Sequence, residues 1–502
     1  MQMSRYLLGI DAGSSVTKAA IFDRSGNEIA RGFQRTELKR PRPGWCETDP
    51  AEAWAAAKTA IRLALQGASL GGDAIAAVGI SAAMVGAWLV DGKGEALRPG
   101  INWEDSRAQD MLERRVANDP DFYHRIFLSD GCVMQQGCTL PLVAWLRQHE
   151  SEVVERAAHV FSYKDFLRMK LTGRAAADRT EAAVAPGDAR LRDRSPEMLE
   201  LFGLADLGAK LPDVRDSESI AGTITEEAAR ATGLRAGTPV AVGAGDVPST
   251  VIGAGALEAG MTMAILGTTC MVGVVSDTPV FTPPDLGLLF TLPGEAWLRA
   301  MVNVAGTLNL DWAIETMLGE HAADPHRFAM IEKMIAGIPV GAEGVVFLPY
   351  LSESGIIAPV VDRQARAGFH GLTPRHRRAH MMRAVYEGVA LAIRDLLQAL
   401  PGGGGEEIVL TGGGASSRFW TQMIADALGR TVLVPAGTEF GAKGAALLAG
   451  TAIGWFPSIR AASISTRSIE RRHLPDASTR RPWDGAYAAY RAQRDRTLRA
   501  DP

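Results

Sequence analysis

The chain opens on three strand-length apolar runs, at residues 5–11, 16–23 and 28–34, separated by turn residues. That pattern predicts a β-meander. The first break between runs is Ala12-Gly13-Ser14-Ser15. Far downstream, Ala264-Ile265-Leu266 and Cys270-Met271-Val272 flank Gly267-Thr268-Thr269 in the same way. Asp49 as N-cap and Pro50 at the first helical position predict a helix through about residue 67. Buried strands are expected at Ala76 to Ser81 and Trp88 to Asp91, and helices at 105–117, 139–149 and 163–171. The stretch 175–220 shows mixed spacing. Gly237 to Asp246 reads as a strand entering a glycine-rich turn. After it, strands are expected at 262–275, 297–304, 344–348, 407–410 and 431–434. Helices are expected near 308–318, 325–336, 375–399, 416–428 and 441–451. The last fifty residues are Arg-rich with little periodicity and read as a packed tail. The expected division is 1–245, 246–452 and a tail of 453–502.

Length supports that division, because 502 residues exceed one ordinary core. Apolar content of 47% and charged content of 22% are those of a soluble globular enzyme. A net charge of −4 favours neither nucleic acid nor an anionic membrane as partner. Four cysteines (Cys46, Cys132, Cys138, Cys270) are too few for a disulfide scaffold and match no zinc spacing. The most apolar stretch, Thr238 to Leu257, is broken by Asp246, Pro248 and several glycines, so it is a poor membrane span. No signal-peptide layout precedes the first strand. A cytoplasmic metabolic protein is the expectation, with a homodimer plausible on base rates.

The two glycine–hydroxyl turns carry the chemistry. Backbone N–H groups and hydroxyls in such turns can cradle phosphate oxygens. Two of them, half a chain apart, suggest two similar domains gripping one nucleotide. Asp11, at a strand end, can hold hydrated Mg²⁺ beside a triphosphate. Gly13, Ser14 and Ser15 would donate to phosphate, and Lys18 could add charge. A plain hairpin with an Asx turn is the structural alternative. Asp246 follows Gly243-Ala244-Gly245, so small neighbours leave its carboxylate accessible. It can accept the proton of a substrate hydroxyl attacking a γ-phosphorus, or serve as an N-cap. Thr411-Gly412-Gly413-Gly414-Ala415 is a strand, a glycine turn and a helix start, open to adenine or phosphate. Neither a P-loop nor the protein-kinase motif set is present.

Taken in order, these segments resemble the FGGY family of carbohydrate kinases from about Leu7 to Gly450. The sharpest match is Ala367-Gly368-Phe369-His370-Gly371-Leu372 followed, seven residues on, by His380 to Gly388. Pro43 to Pro50, Trp103-Glu104-Asp105-Ser106-Arg107 and Phe347 to Leu351 support it. The resemblance implies an α/β chain with two ribonuclease H/actin-like ATPase domains and the reaction in the cleft between them. It implies ATP and Mg²⁺ as cofactors, with Asp11 at the metal and Asp246 as general base. Gly267 and Thr268 would hold the β/γ-phosphates, and Gly306 would line the nucleotide path. Gly413, Gly414 and Ala415 would meet the adenosine side. Met84, Trp103, Asp105 and Arg107 would lie at the sugar, on loops 84–88, 103–107 and 134–139. The chain departs from the family pattern at Leu142, at Ser352-Glu353-Ser354-Gly355, and at Met84-Val85. D-xylulose kinases commonly carry Met-His at the last of these, so one polar sugar contact is missing. The expected activity is ATP-dependent phosphorylation of a small sugar or polyol, with a pentulose such as D- or L-xylulose leading. Erythritol, glycerol and ribulose are alternative substrates. An actin- or chaperone-like nucleotide switch is the alternative class.

Overall fold

The computed structural model describes residues 5–133, 135–353 and 355–498. Met134 and Ser354, each named above within a loop, lie outside the described residues. The opening runs form an antiparallel meander: Tyr6–Ala12, Val16–Phe22 and Glu28–Arg35. Ile75–Ala82 joins parallel to the first strand, and Pro239–Ala241 parallel to that. Ile220–Thr223 closes this edge antiparallel, and Ala244–Gly245 adds a short piece beside Ile75–Ala82. The helix Pro50–Gly67 links meander to crossover, and Asp49 caps it by accepting from the Ala51 and Glu52 N–H groups.

The second sheet repeats this order. Thr262–Leu266, Cys270–Ser276 and Ala296–Asn303 form its meander. Glu407–Thr411 and Thr431–Pro435 follow in parallel, and Ile469–His473 closes the edge antiparallel. One further strand, Leu288–Leu292, extends the far side beyond the repeat.

The halves interlock through the helix Phe440–Ala452. It belongs by sequence to the second half but lies on the first sheet, next to the helix Asp246–Gly253. Such closeness demands glycine in the sheet. A Cβ on Gly9 would fall 1.8 Å from the Ala442 carbonyl oxygen, and one on Gly79 would fall 1.7 Å from that of Ala445. A continuous apolar cluster runs from Leu7 and Ala77 through Val251, Phe440 and Ala446 to Leu298 and Val409, so both sheets share one core region.

The C-terminal segment differs from expectation. Over residues 453–498 the chain is not an aperiodic tail, because Ile459–Ser465, Ile469–His473 and Arg480–Thr497 are regular elements. The strand Ile469–His473 alternates half-buried and exposed residues, and its polar side chains suit a sheet edge that must not recruit another strand. The last helix buries Trp483, Tyr487 and Tyr490 at helical spacing, a period masked by the arginines between them.

Candidate active site

The two hairpins and the helix Asp246–Gly253 converge on a cleft of about 420 Å³. Asp11 stands at its floor, opposite Lys18 and beside Ser81 in the ladder. Burial raises the Asp11 carboxyl above its ordinary range. Lys18 pulls it down, and Glu439 pushes it further up. Its Oδ1 is buried without a hydrogen-bond partner. Space around it is guarded by Gly441, where a Cβ would fall 2.4 Å from Asp11 Oδ2. A buried carboxylate oxygen without a protein partner, on a residue that lines the cleft, fits a hydrated Mg²⁺, which takes one or two carboxylates and completes its shell from water and phosphate.

Ser14, in the first turn, accepts a 3.0 Å hydrogen bond from Trp103 Nε1, so the first hairpin and the Trp103 loop meet in the cleft wall. Gly13 closes its turn through its N–H to the Val16 carbonyl, and Ser15 is exposed. Lys18 is engaged elsewhere: its Nζ lies 2.9 Å from Glu439 Oε2, and it does not line the cleft.

Asp246 faces this floor from across the cleft. The structure moves the N-cap by one residue: Gly245 is the cap, and Asp246 is the first helical residue, its Oδ1 accepting from the Val247 N–H at 2.8 Å. Burial first, and the charge of Asp11 second, push the Asp246 carboxyl up to about 7. Two carboxylates facing one cleft repel, so one holds its proton longer. A base poised near neutrality is suited to taking a hydroxyl proton.

The second hairpin is braced from below. The Gly306 N–H donates to the Thr268 carbonyl at 2.6 Å, and the Thr307 N–H donates to that of Gly267 at 2.8 Å. A Cβ on Gly306 would fall 2.4 Å from the Thr269 carbonyl oxygen, so only glycine permits this approach. The turn at Gly412-Gly413-Gly414 lies on the same hairpin. A Cβ on Gly412 would meet the Leu266 carbonyl oxygen at 2.4 Å, and one on Gly414 would meet the Leu266 side chain, while Gly413 faces open space. Ala415 is buried behind them, its carbonyl held by Arg471.

The three expected sugar loops come together. The Gly86 N–H donates to the Gly137 carbonyl at 2.9 Å, and a Cβ on Gly137 would fall 1.9 Å from the Trp103 carbonyl oxygen. Met84 and Trp103 line the cleft. Asp105 and Arg107 do not, which corrects their placement at the sugar. Asp105 is fully buried and accepts from the Cys46 N–H and the Arg107 guanidinium. Arg107 also bonds Glu47 at 2.8 Å and stacks on Trp45 at 3.7 Å. The pair fastens the 44–48 loop to the 100–107 segment.

Several residues escaped sequence reading. Val85 sits at φ 57, a strained position for a β-branched residue. Its N–H is held at 2.9 Å by the buried Glu181 carboxylate. Thr180 Oγ1 accepts from the Gly245 N–H at 3.0 Å, bracing the residue before Asp246, and itself bonds Asp178. Asp178 pairs with the buried Lys164 at 2.9 Å. Asp178, Thr180 and Glu181 lie where periodicity was mixed. The only signal available was a run of charged and hydroxyl residues, Asp178-Arg179-Thr180-Glu181, in an otherwise alanine-rich stretch.

With this geometry in place, comparison with known proteins is decisive. The model of the N-terminal domain of the FGGY carbohydrate kinases matches residues 6–253, and that of the C-terminal domain matches residues 262–453. This chain belongs to the FGGY family of carbohydrate kinases. It is 33% identical to a xylulose kinase of Escherichia coli over 97% of both chains. It is 30% identical to an L-xylulose/3-keto-L-gulonate kinase of the same organism, over 97% of this chain and 96% of that one. A crystal structure of a xylulose kinase from Rhodospirillum rubrum superposes with a TM-score of 0.86 at 26% identity, covering 98% of this chain and 99% of that one. The FGGY chain described here is a sugar kinase with the two-domain, actin-like ATPase fold. Among the described residues, no helix is long and apolar enough to cross a membrane.

Proposed function

We propose that this kinase transfers the γ-phosphoryl group of ATP to a primary hydroxyl of a short ketose, with a pentulose such as xylulose as the leading substrate. The observation that carries the reading is the pairing of Asp246, raised to about 7, with Asp11 across one cleft flanked by both glycine–hydroxyl turns. Asp246 accepts the proton as the substrate oxygen bonds to the γ-phosphorus and the bond to the bridging oxygen of ADP breaks. Donors at Ser14 and Thr268, on the turns that Gly13 and Gly267 allow, stabilise charge on the transferring group. Gly413 and Gly414 leave room for the adenosine side. Mg²⁺, held at Asp11, would neutralise phosphate charge. The similarity to xylulose and L-xylulose kinases supports the pentulose assignment.

The test is ATP consumption by purified protein with Mg²⁺ against pentuloses, pentitols, erythritol, glycerol and hexuloses. Stimulation confined to pentuloses is expected. Stimulation by a polyol alone overturns the ketose assignment. Steady hydrolysis indifferent to every acceptor overturns the kinase reading in favour of a nucleotide switch.

A further inference from the structure

The wall of the cleft beyond Asp246 has few polar partners to offer a substrate. Met84, Val85, Cys132, Cys138, Val184 and Phe290 form it, each buried but for a small face toward the cleft. All six belong to one apolar cluster. Among the described residues, the polar side chains lining the cleft, apart from the Trp103 indole, are Asp11, Ser14, Asp246, Thr250 and Thr269. Every one of these sits at the end of the first strand, on a hairpin turn or on the helix opened by Asp246, at the phosphoryl-transfer end.

Backbone donors of this wall are also taken. The Val85 N–H donates to Glu181, and the Cys132 N–H to Asp130. The N–H groups of Gly86, Cys138 and Val184 donate to the carbonyls of Gly137, Gln135 and Glu181. The indole N–H of Trp103 is spent on Ser14. A hydroxyl pressed against this surface would leave water and find none of these N–H groups free, whereas a methyl group would gain contact.

Resting on the kinase reading above, we infer that the preferred substrate is a deoxyketose: a short ketose whose end remote from the phosphorylated hydroxyl carries a methyl group instead of a hydroxymethyl. The chemistry at the reacting end is unchanged, since the remote end takes no part in phosphoryl transfer.

Matched pairs test this: 1-deoxy-D-xylulose against D-xylulose, and 1-deoxy-L-xylulose against L-xylulose, with ATP and Mg²⁺. In at least one pair the deoxy member is expected to have the higher kcat/KM by about 10- to 100-fold, the range over which an apolar pocket and one hydroxyl discriminate. The Val184→Thr variant adds a hydroxyl to the wall at nearly constant volume. It is expected to shrink that ratio at least threefold, and the wild-type comparison stands alone should this variant not fold. Equal or higher kcat/KM for the hydroxylated member of both pairs overturns the inference and leaves the kinase reading intact. No acceptor-dependent ATP consumption with any of the four takes down both.

Discussion

Asp246→Asn separates the chemical cost of a catalytic carboxylate from its structural cost. Asparagine keeps the oxygen that accepts from the Val247 N–H at 2.8 Å and removes the charge that confronts Asp11. Turnover is expected to fall by about 10²- to 10⁴-fold, the usual worth of a general base, while nucleotide binding persists. In the wild type, kcat/KM should climb as pH rises through about 7 and then level off, because the carboxylate is the active form. Stability moves the other way. The folded carboxyl is raised from 3.8 to about 7, so the folded state binds its proton more tightly than the unfolded chain does. Stability from that proton is complete below pH 4 and is lost as pH rises through 7. A rise of roughly three pH units corresponds to about 4 kcal/mol in a dry site. The cleft admits water, and screening reduces this to about 2 kcal/mol. Urea denaturation of ligand-free protein should therefore find Asp246→Asn more stable than wild type by about 2 kcal/mol at pH 8 and equal to it near pH 4. A variant that is inactive but less stable at pH 8, or whose advantage ignores pH, refutes the electrostatic account. A variant with normal turnover refutes the base assignment.

Gly441→Ala would drive a methyl group to 2.4 Å from Asp11 Oδ2, and displacement of that carboxylate should lower kcat about 100-fold and raise the Mg²⁺ concentration needed for half-maximal rate. An unchanged Mg²⁺ titration would remove Asp11 from the metal site. Arg107→Met leaves the buried Asp105 without its cation, while Glu47 keeps Arg98 at 2.5 Å, and should cost about 3 kcal/mol of unfolding free energy. Trp103→Ala, by contrast, should raise the acceptor KM with a smaller loss in chemical denaturation; the reverse ranking would return Arg107 to the sugar site. Truncation after residue 468 exposes the Thr431–Pro435 edge and uncovers the surface filled by Trp483, Tyr487 and Tyr490. Aggregated or insoluble protein is the expected result, read by size-exclusion chromatography, and a soluble active truncation would show the segment to be an appendage.

What the sequence could disclose depended on whether the relevant physics is local. Both hairpins, the cap at Asp49 and the long helices follow from short-range spacing, and the structure carries them within a few residues of where periodicity places them. The duplicated sheet order was implied by the paired turns, but its last member, Ile469–His473, was not visible. An edge strand buries only half of one face and can be written largely in Glu, Arg and His. The buried charge network around Lys164, Asp178 and Glu181 was hidden for a different reason. Charged residues read as surface until three-dimensional packing supplies their partners. The same ambiguity misplaced Asp105 and Arg107. Their spacing beside Trp103 is equally good for reaching a ligand and for folding back on Cys46 and Glu47, and only the path of the 44–48 loop decides between them.

The glycines show the converse case, where sequence marks a position but tertiary contact gives it meaning. Gly9 and Gly79 look like weak points in two strands, yet they are where the helix Phe440–Ala452 presses its backbone onto the first sheet. That helix opens with Phe440 and Gly441, so the contact that lets it lie flat also sets Gly441 beside Asp11. The neighbouring helix, packed against it, opens with Asp246. The two carboxylates of the candidate site are thus registered by one helix pair gripping a glycine-smoothed sheet. A bulky residue at Gly9 or Gly79 would shift that pair and change the Asp11–Asp246 relation without touching either side chain. Gly79→Ala should therefore alter the pH profile of kcat/KM as well as lower stability, whereas a purely structural lesion would lower stability and leave the apparent pKa at about 7.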